Sequence, residues 1–231
     1  MNNNWKKIWT NRSVQLPDEI SLDQLISLNG FDTGAGKVNA KDWQVYANRI
    51  ADKLNLKNND SVYEVGCGSG AFLYSLSQNK KLKVGGIDYG SGLIETAKKV
   101  LPKGDFVCEE ASKLNIDEQY DYVISNSVFH YFSLPYAENI IELMLKKTNN
   151  SVCILEIPDK SQKQASEDLR RDALSIDEYE KKYNGLEHTY YEKKWFEKIA
   201  FKNRVEFEII NGLIPNYSQN AFRFGCIMRK L

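Results

Sequence analysis

Residues 62–71 read Val-Tyr-Glu-Val-Gly-Cys-Gly-Ser-Gly-Ala, an apolar run with one acid, Glu64, that breaks into three alternating glycines, Gly66, Gly68 and Gly70. No other stretch limits the fold as tightly. An apolar run of this length suits a strand, and the glycines allow a sharp turn, positive φ and a closer approach of backbone to ligand than any Cβ permits. The N–H groups opening the next helix favour polar or anionic atoms. The segment is predicted to be a strand that delivers a nucleotide-like ligand to the start of a helix, the alternative being a glycine turn that closes a hairpin.

The surroundings favour the first reading. A helical segment at 72–78 is followed by a second strand-like run at 82–88 that ends in Asp88. In a βαβ unit, an acid roughly 20 residues beyond the glycines meets ribose hydroxyls. The alternative for Asp88 is a cap on the helix predicted at 93–101, a task Ser91 is also placed to perform.

Two further segments complete a pattern. Glu109-Glu110-Ala111-Ser112-Lys113-Leu114 follows a third strand, and Tyr120-Asp121-Tyr122-Val123-Ile124-Ser125-Asn126-Ser127-Val128-Phe129-His130 spans a fourth. With the glycine motif and Asp88, these resemble the class I S-adenosylmethionine-dependent methyltransferases over about residues 60–157. The resemblance implies an α/β fold: a doubly wound, Rossmann-like, seven-stranded and mostly parallel sheet whose final strand runs antiparallel. It implies S-adenosyl-L-methionine as cofactor and S-adenosyl-L-homocysteine as product. Gly66, Gly68 and Gly70 would shape the turn around the methionine and ribose, with Glu64 supporting the amino-acid end. Asp88 would accept from the ribose hydroxyls, and Tyr89 would pack on the adenine. Glu110 would meet the adenine amino group while Ala111 supplies a backbone N–H; here Glu109-Glu110-Ala111 departs from the common Gly-Asp-Ala form. Asn126 and Ser127 would lie near the methionine.

A nicotinamide or flavin enzyme is the competitor, because Gly66-x-Gly68-x-x-Ala71 also satisfies the dinucleotide fingerprint. Glu64 counts against it: an acid on an apolar strand suits a cationic amino-acid ligand and is awkward beside a pyrophosphate. The segment 121–130 counts against it too, since it matches a strand running into a loop that faces cofactor and acceptor.

Composition narrows the partners. The 231 residues, 42% of them hydrophobic, suffice for one sizeable core and a single α/β domain. Thirty-one basic and thirty-one acidic residues leave no net field for a polyanion, so no nucleic-acid partner is expected. No apolar run reaches the 18 or more residues that span a bilayer, and the first residues lead into no signal-peptide core, so no membrane association and a cytoplasmic location are expected. Cys67, Cys108, Cys153 and Cys226 are far apart and the chain has only two histidines, so no metal site is expected and the thiols read as buried small residues. Oligomeric state is not legible.

Strands are predicted at 61–65, 82–88, 105–109, 120–126, 151–157, 205–210 and 221–229, the first five separated by helical segments. Residues 1–59 read as an N-terminal helical lid segment and 60–231 as the core, with an acceptor-side insertion at 158–191. Within the lid segment, helices are predicted at 21–28, ending at Asn29-Gly30, and at 42–56 through Trp43, Tyr46, Ile50 and Leu54. Between them Gly34-Ala35-Gly36-Lys37 superficially resembles a phosphate loop but lacks its spacing and its Ser or Thr. This loop reads as a mobile lid, or else as an interhelical connection.

Methyl transfer from a sulfonium needs alignment above all, and an alcohol acceptor also needs a base. The chain offers His130 and His188 for that role, with His130 nearer the motif loop and Tyr190 a further candidate. Tyr179, Tyr183, His188, Tyr190 and Tyr191 form an aromatic concentration suited to a small-molecule acceptor. The Gly34-Ala35-Gly36-Lys37 loop and Phe222-Arg223-Phe224 resemble methyltransferases acting on sugars and other small metabolites, which implies a hydroxyl of a sugar, sugar nucleotide or related metabolite as acceptor; a methyltransferase acting on protein or RNA and a non-catalytic cofactor-binding module are the alternatives. Arg170, Arg171 and Arg223 are candidates for an acidic group on it.

Overall fold

The computed structural model describes residues 3–10, 19–32, 34–172, 175–177 and 185–231. Tyr179 and Tyr183, and Thr33 just before the Gly34–Lys37 loop, lie outside them.

The sheet is built from β1 (Ser61–Val65), β2 (Lys83–Asp88), β3 (Asp105–Cys108), β4 (Tyr120–Asn126), β5 (Thr148–Pro158), β6 (Glu206–Ile210) and β7 (Arg223–Arg229). Their order is β3-β2-β1-β4-β5-β7-β6. The first five pair in parallel, and β7 lies antiparallel between β5 and β6. The helices are α1 (Asn3–Thr10), α2 (Leu22–Leu28), α3 (Ala40–Lys53), α4 (Ala71–Ser77), α5 (Ser91–Val100), α6 (Leu134–Lys147), α7 (Lys163–Arg171) and α8 (Lys193–Lys202).

Alternation along the strands decides which helix goes where. Successive side chains face opposite sides of a sheet. Ile124 and Cys153 therefore join one core with Leu25 and Ile26 of α2, Trp43, Tyr46 and Ile50 of α3, and Phe72 and Leu73 of α4. Val123, Val152 and Ile154 join the other with Ile140, Ile141 and Met144 of α6 and with Phe196 and Ile199 of α8. The N-terminal helices α2 and α3 thus share the core face used by α4. The strand order reverses between β1 and β4, and such a switch point opens a crevice beyond the carboxyl ends of the strands.

Local chemistry explains several boundaries. Ser21 and Gln24 form a reciprocal capping box that starts α2. Asn39 Oδ1 accepts from Asp42 N at 2.8 Å, which starts α3 at Ala40, two residues ahead of the predicted helix. Strand β5 is longer at its start than its apolar run and bulges near its end, where Glu156 takes φ +57° and the register against β7 shifts.

Three expectations are corrected. Neither Asp88 nor Ser91 is the side-chain cap of α5: the N-cap is Gly90 and Ser91 is the first helical residue. Cys108 is exposed, because β3 is a sheet edge, whereas Cys67, Cys153 and Cys226 are buried. Tyr191 is a core residue, its hydroxyl donating to Phe129 O at 2.8 Å and Phe132 O at 2.9 Å, and so does not face an acceptor. Among the described residues no helix is long and apolar enough to cross a membrane, and no cluster of metal-ligating side chains is found.

Candidate active site

The glycine turn after β1 has φ +75°, +52° and +79° at Gly66, Gly68 and Gly70. A Cβ on Gly66 would run into the Val128 side chain, and one on Gly68 into the Asn29 side-chain amide. Gly70 faces elsewhere: it is the left-handed N-cap of α4 and packs on Ala97 of α5, closing helix against helix.

Every amide in this turn is committed within the protein. Gly66 N and Cys67 N donate to Ile87 O at 2.8 and 3.2 Å, and Gly70 N donates to Cys67 O at 2.9 Å. Gly68 N donates to Asp88 Oδ2 at 3.0 Å, and Ser69 N to Asn29 Oδ1 at 2.8 Å. The turn therefore does not offer the row of free N–H groups that a pyrophosphate requires.

The crevice beside the turn is open to solvent, with about 660 Å³ of space between its walls and mouth. Gly66, Gly68, Asp88, Tyr89, Glu110, Ala111, Asn126 and Ser127, all singled out from sequence, line it together. Asp88 is held by Gly68 N and by Gly90 N, the latter at 2.8 Å from Oδ1. Burial raises its pKa, and these two backbone donors oppose the rise. Glu110 pairs with Lys6 of α1. Ser127 takes φ +59° and donates its N–H to Leu155 O at 3.1 Å, which turns the chain out of β4 beside the crevice.

Glu64 and Gly70 are not on this wall. Glu64 is 1% exposed, and its Oε2 has no hydrogen-bond partner among the described residues. Burial, reinforced by Asp88, pushes its pKa well above the ordinary carboxylate range. A buried, unsatisfied carboxyl is expensive unless a ligand supplies a positive group. Because its folded-state pKa is raised, folding takes up a proton, and Glu64 costs stability as pH rises above the unfolded value of about 4.3. Glu64→Gln is therefore expected to raise the melting temperature at neutral pH, with a gain that shrinks on acidification, while weakening cofactor binding. Melting and titration series from pH 4 to 8 test this; a variant less stable than the parent at pH 8 would overturn it.

The predicted catalytic group lies behind the wall. His130 is buried against Tyr131, centroids 3.9 Å apart, and against His188 at 4.4 Å. Tyr131 lines the crevice, whereas His130, His188 and Tyr190 do not. Burial pushes the His130 imidazole well below its usual range, with His188, Arg223 and Arg170 adding to the effect; burial, Arg170 and Arg223 do the same to His188. Arg170 contacts His188 Nδ1 at 3.3 Å and donates to the Tyr190 hydroxyl. Trp5 of α1 stacks on His188 with centroids 5.2 Å apart.

Sequence reasoning missed several groups here. Asn29 lines the crevice although it reads as a helix stop, and Trp9, Phe31, Phe132 and Tyr136 add aromatic wall. Tyr46, which reads as one more apolar position on α3, donates its hydroxyl to Asn126 Oδ1 at 2.9 Å. Glu156 is buried beside Arg223 (Nε to Oε2 3.7 Å) and Tyr217, and its pKa is raised by burial against the opposing effect of both. These pairings join residues 61 to 80 positions apart, and no local periodicity carries that information.

Residues 62–151 match the family described as a methyltransferase domain. Residues 62–151 thus carry a methyltransferase domain, set in a Rossmann-like seven-stranded sheet. The chain is similar to the malonyl-[acyl-carrier protein] O-methyltransferases of Priestia megaterium, at 34% identity over 76 residues (32% of this chain, 28% of that protein), and of Acetivibrio thermocellus, at 31% over 108 residues (41% and 38%). The matched segments span about a third of the length of those curated relatives. In fold it is similar to the plantazolicin methyltransferase BpumL, solved with S-adenosylhomocysteine and a pentazolic desmethylPZN analog, with TM-score 0.67, 16% identity and coverage of 100% of this chain and 99% of that one. The magnesium protoporphyrin IX methyltransferase of Synechocystis PCC 6803 gives TM-score 0.57 at 16% identity over 99% and 94% of the two chains.

Proposed function

We propose that this protein is a methyltransferase that transfers the methyl group of S-adenosylmethionine to a hydroxyl of a small molecule, a sugar, sugar nucleotide or related metabolite. The residues present fit the cofactor. The orphaned Glu64 carboxyl suits the ammonium of the methionine portion, Gly66 and Gly68 bring bare backbone to the crevice wall, and Asp88 suits the ribose hydroxyls. Tyr89 and Glu110 lie on the wall where the adenine would sit. When bound, S-adenosylmethionine supplies a methyl group activated by the positive charge of its sulfonium.

The observation that carries the acceptor reading is His130. Its imidazole is held neutral, its Nδ1 has no partner among the described residues, and its ring packs on that of Tyr131, which lines the crevice. A neutral imidazole can take the proton an alcohol releases as it is methylated. His188 and Tyr190 would orient the acceptor on the same side, and the loop around Gly34–Gly36, which packs on α7, would act as the lid. Similarity to O-methyltransferases supports oxygen as the accepting atom.

The test has two stages. Calorimetric titration should show saturable binding of S-adenosylmethionine and S-adenosylhomocysteine and none of NAD; NAD binding would return the glycine turn to its dinucleotide interpretation. Methyl-tritiated cofactor offered with a panel of sugars and sugar nucleotides should then label an acceptor. On that acceptor His130→Ala is expected to lower turnover by about 10²–10⁴-fold with cofactor affinity unchanged; normal turnover would remove His130 from the reaction.

A further inference from the structure

Asn29 ends α2 in the N-terminal segment, yet it stands on the wall of the crevice against the glycine turn. Its orientation is fixed by chemistry. The Ser69 backbone N–H can only donate, so the atom 2.8 Å from it is the carbonyl oxygen Oδ1, and the other end of the amide is the Nδ2 donor. The amide lies against Gly68 so closely that a Cβ there would overlap it. Ser69 Oγ donates to Leu25 O at 3.0 Å, a second bond that ties α2 to the same turn.

The accounting of donors gives this amide its importance. S-adenosylmethionine carries one carboxylate, on the methionine portion, and a carboxylate taken out of water must be given hydrogen bonds. The five amides from Gly66 to Gly70 are all committed to protein acceptors. Asp88 and Glu110 on the same wall are acids and repel it. Two side-chain amides stand on the wall, those of Asn29 and Asn126; Asn126 Oδ1 accepts from the Tyr46 hydroxyl, whereas the Asn29 amide lies directly against the turn at Gly68.

We infer that Asn29 Nδ2 donates to the methionine carboxylate of the cofactor. α2 is then part of the cofactor site. One end of the Asn29 amide secures the glycine turn and the other holds the ligand. This inference rests on the cofactor reading above and deepens it.

Two ligands separate the roles. S-adenosylhomocysteine has the carboxylate, and 5′-methylthioadenosine, which keeps the adenosine and sulfur, has no amino-acid portion. Asn29→Asp preserves an oxygen for Ser69 N–H but replaces the Nδ2 donor by an anion. In calorimetric titrations of the full chain, Asn29→Asp is expected to weaken S-adenosylhomocysteine by at least about tenfold, from loss of a charge-assisted bond, and to leave 5′-methylthioadenosine within about twofold. Asn29→Ser, which removes Nδ2 without adding charge, should show the same selectivity to a smaller degree and covers the case in which the aspartate variant does not fold. Equal weakening of both ligands would mean that Asn29 only props the turn, and unchanged affinity for both would mean that it touches neither; either result overturns the inference. Failure of the parent protein to bind S-adenosylhomocysteine would instead overturn the cofactor reading.

Discussion

Asp88→Ala is expected to weaken S-adenosylmethionine binding by about two to four orders of magnitude. The carboxylate ends β2 at the crevice, where it accepts from Gly68 N and Gly90 N and keeps its remaining lone pairs for a ligand. Two charge-assisted hydrogen bonds to ribose hydroxyls are worth about 1.5–3 kcal/mol each, and about 1.4 kcal/mol corresponds to tenfold in affinity. Alanine also strands two backbone donors, so a lowered melting temperature should accompany the loss. Asp88→Asn separates the two effects. One amide oxygen can still accept from one backbone N–H while the amide nitrogen faces the other, so the asparagine variant should bind weakly yet melt closer to the parent. Calorimetry with S-adenosylmethionine, alongside thermal melts, makes the comparison. Unchanged affinity in the alanine variant would refute the ribose assignment.

The second large effect is expected from a single methyl group. Gly66 leaves β1 with φ +75°, a conformation that costs an L-residue about 1–2 kcal/mol, and an added Cβ would collide with the Val128 side chain, lying 3.0 Å from its Cγ1. Overpacking of this kind adds about 1–3 kcal/mol. Gly66→Ala should therefore lose about 2–5 kcal/mol, a fall in melting temperature of roughly 4–20 °C for a chain of this size, together with its cofactor binding. The partner is identified, so the loss can be dissected. Adding Val128→Ala removes the obstacle and should restore the collision part of the stability while leaving the φ cost in place. If the double variant were no more stable than Gly66→Ala, Val128 would not be what confines the turn.

The two variants probe opposite ends of one device. Asp88 and Gly66 come from adjacent strands, and Val65 pairs with Ile87 in the register that brings both strand ends to the same crevice. Val128 and Asn126 arrive from β4 on the other side of β1, paired through Glu64 and Ile124. The position of this crevice follows from the reversal of strand order, because the loops on either side of β1 lead away in opposite directions.

Much of this was legible in the residues. The strands at 61–65 and 120–126 coincide with β1 and β4, because an apolar run bounded by glycine or polar turn residues marks a buried parallel strand. Eight of the ten proposed cofactor residues reach one wall, since each lies at the carboxyl end of a strand and parallel pairing gathers those ends together. Asn29, Tyr46 and Glu156 were not legible in this way. Asn29 has the local appearance of a helix stop, Tyr46 that of one more buried position on an amphipathic helix, and Glu156 that of an acid near a strand end. What makes each of them polar partners of the site is a contact with Ser69, Asn126 or Arg223, formed when separate elements pack. Periodicity and turn chemistry act over a few residues and so are written locally. Whether a hydroxyl, an amide or a carboxyl faces a partner or a crevice depends on chain segments dozens of residues away, and that is settled by which face of the sheet each helix covers.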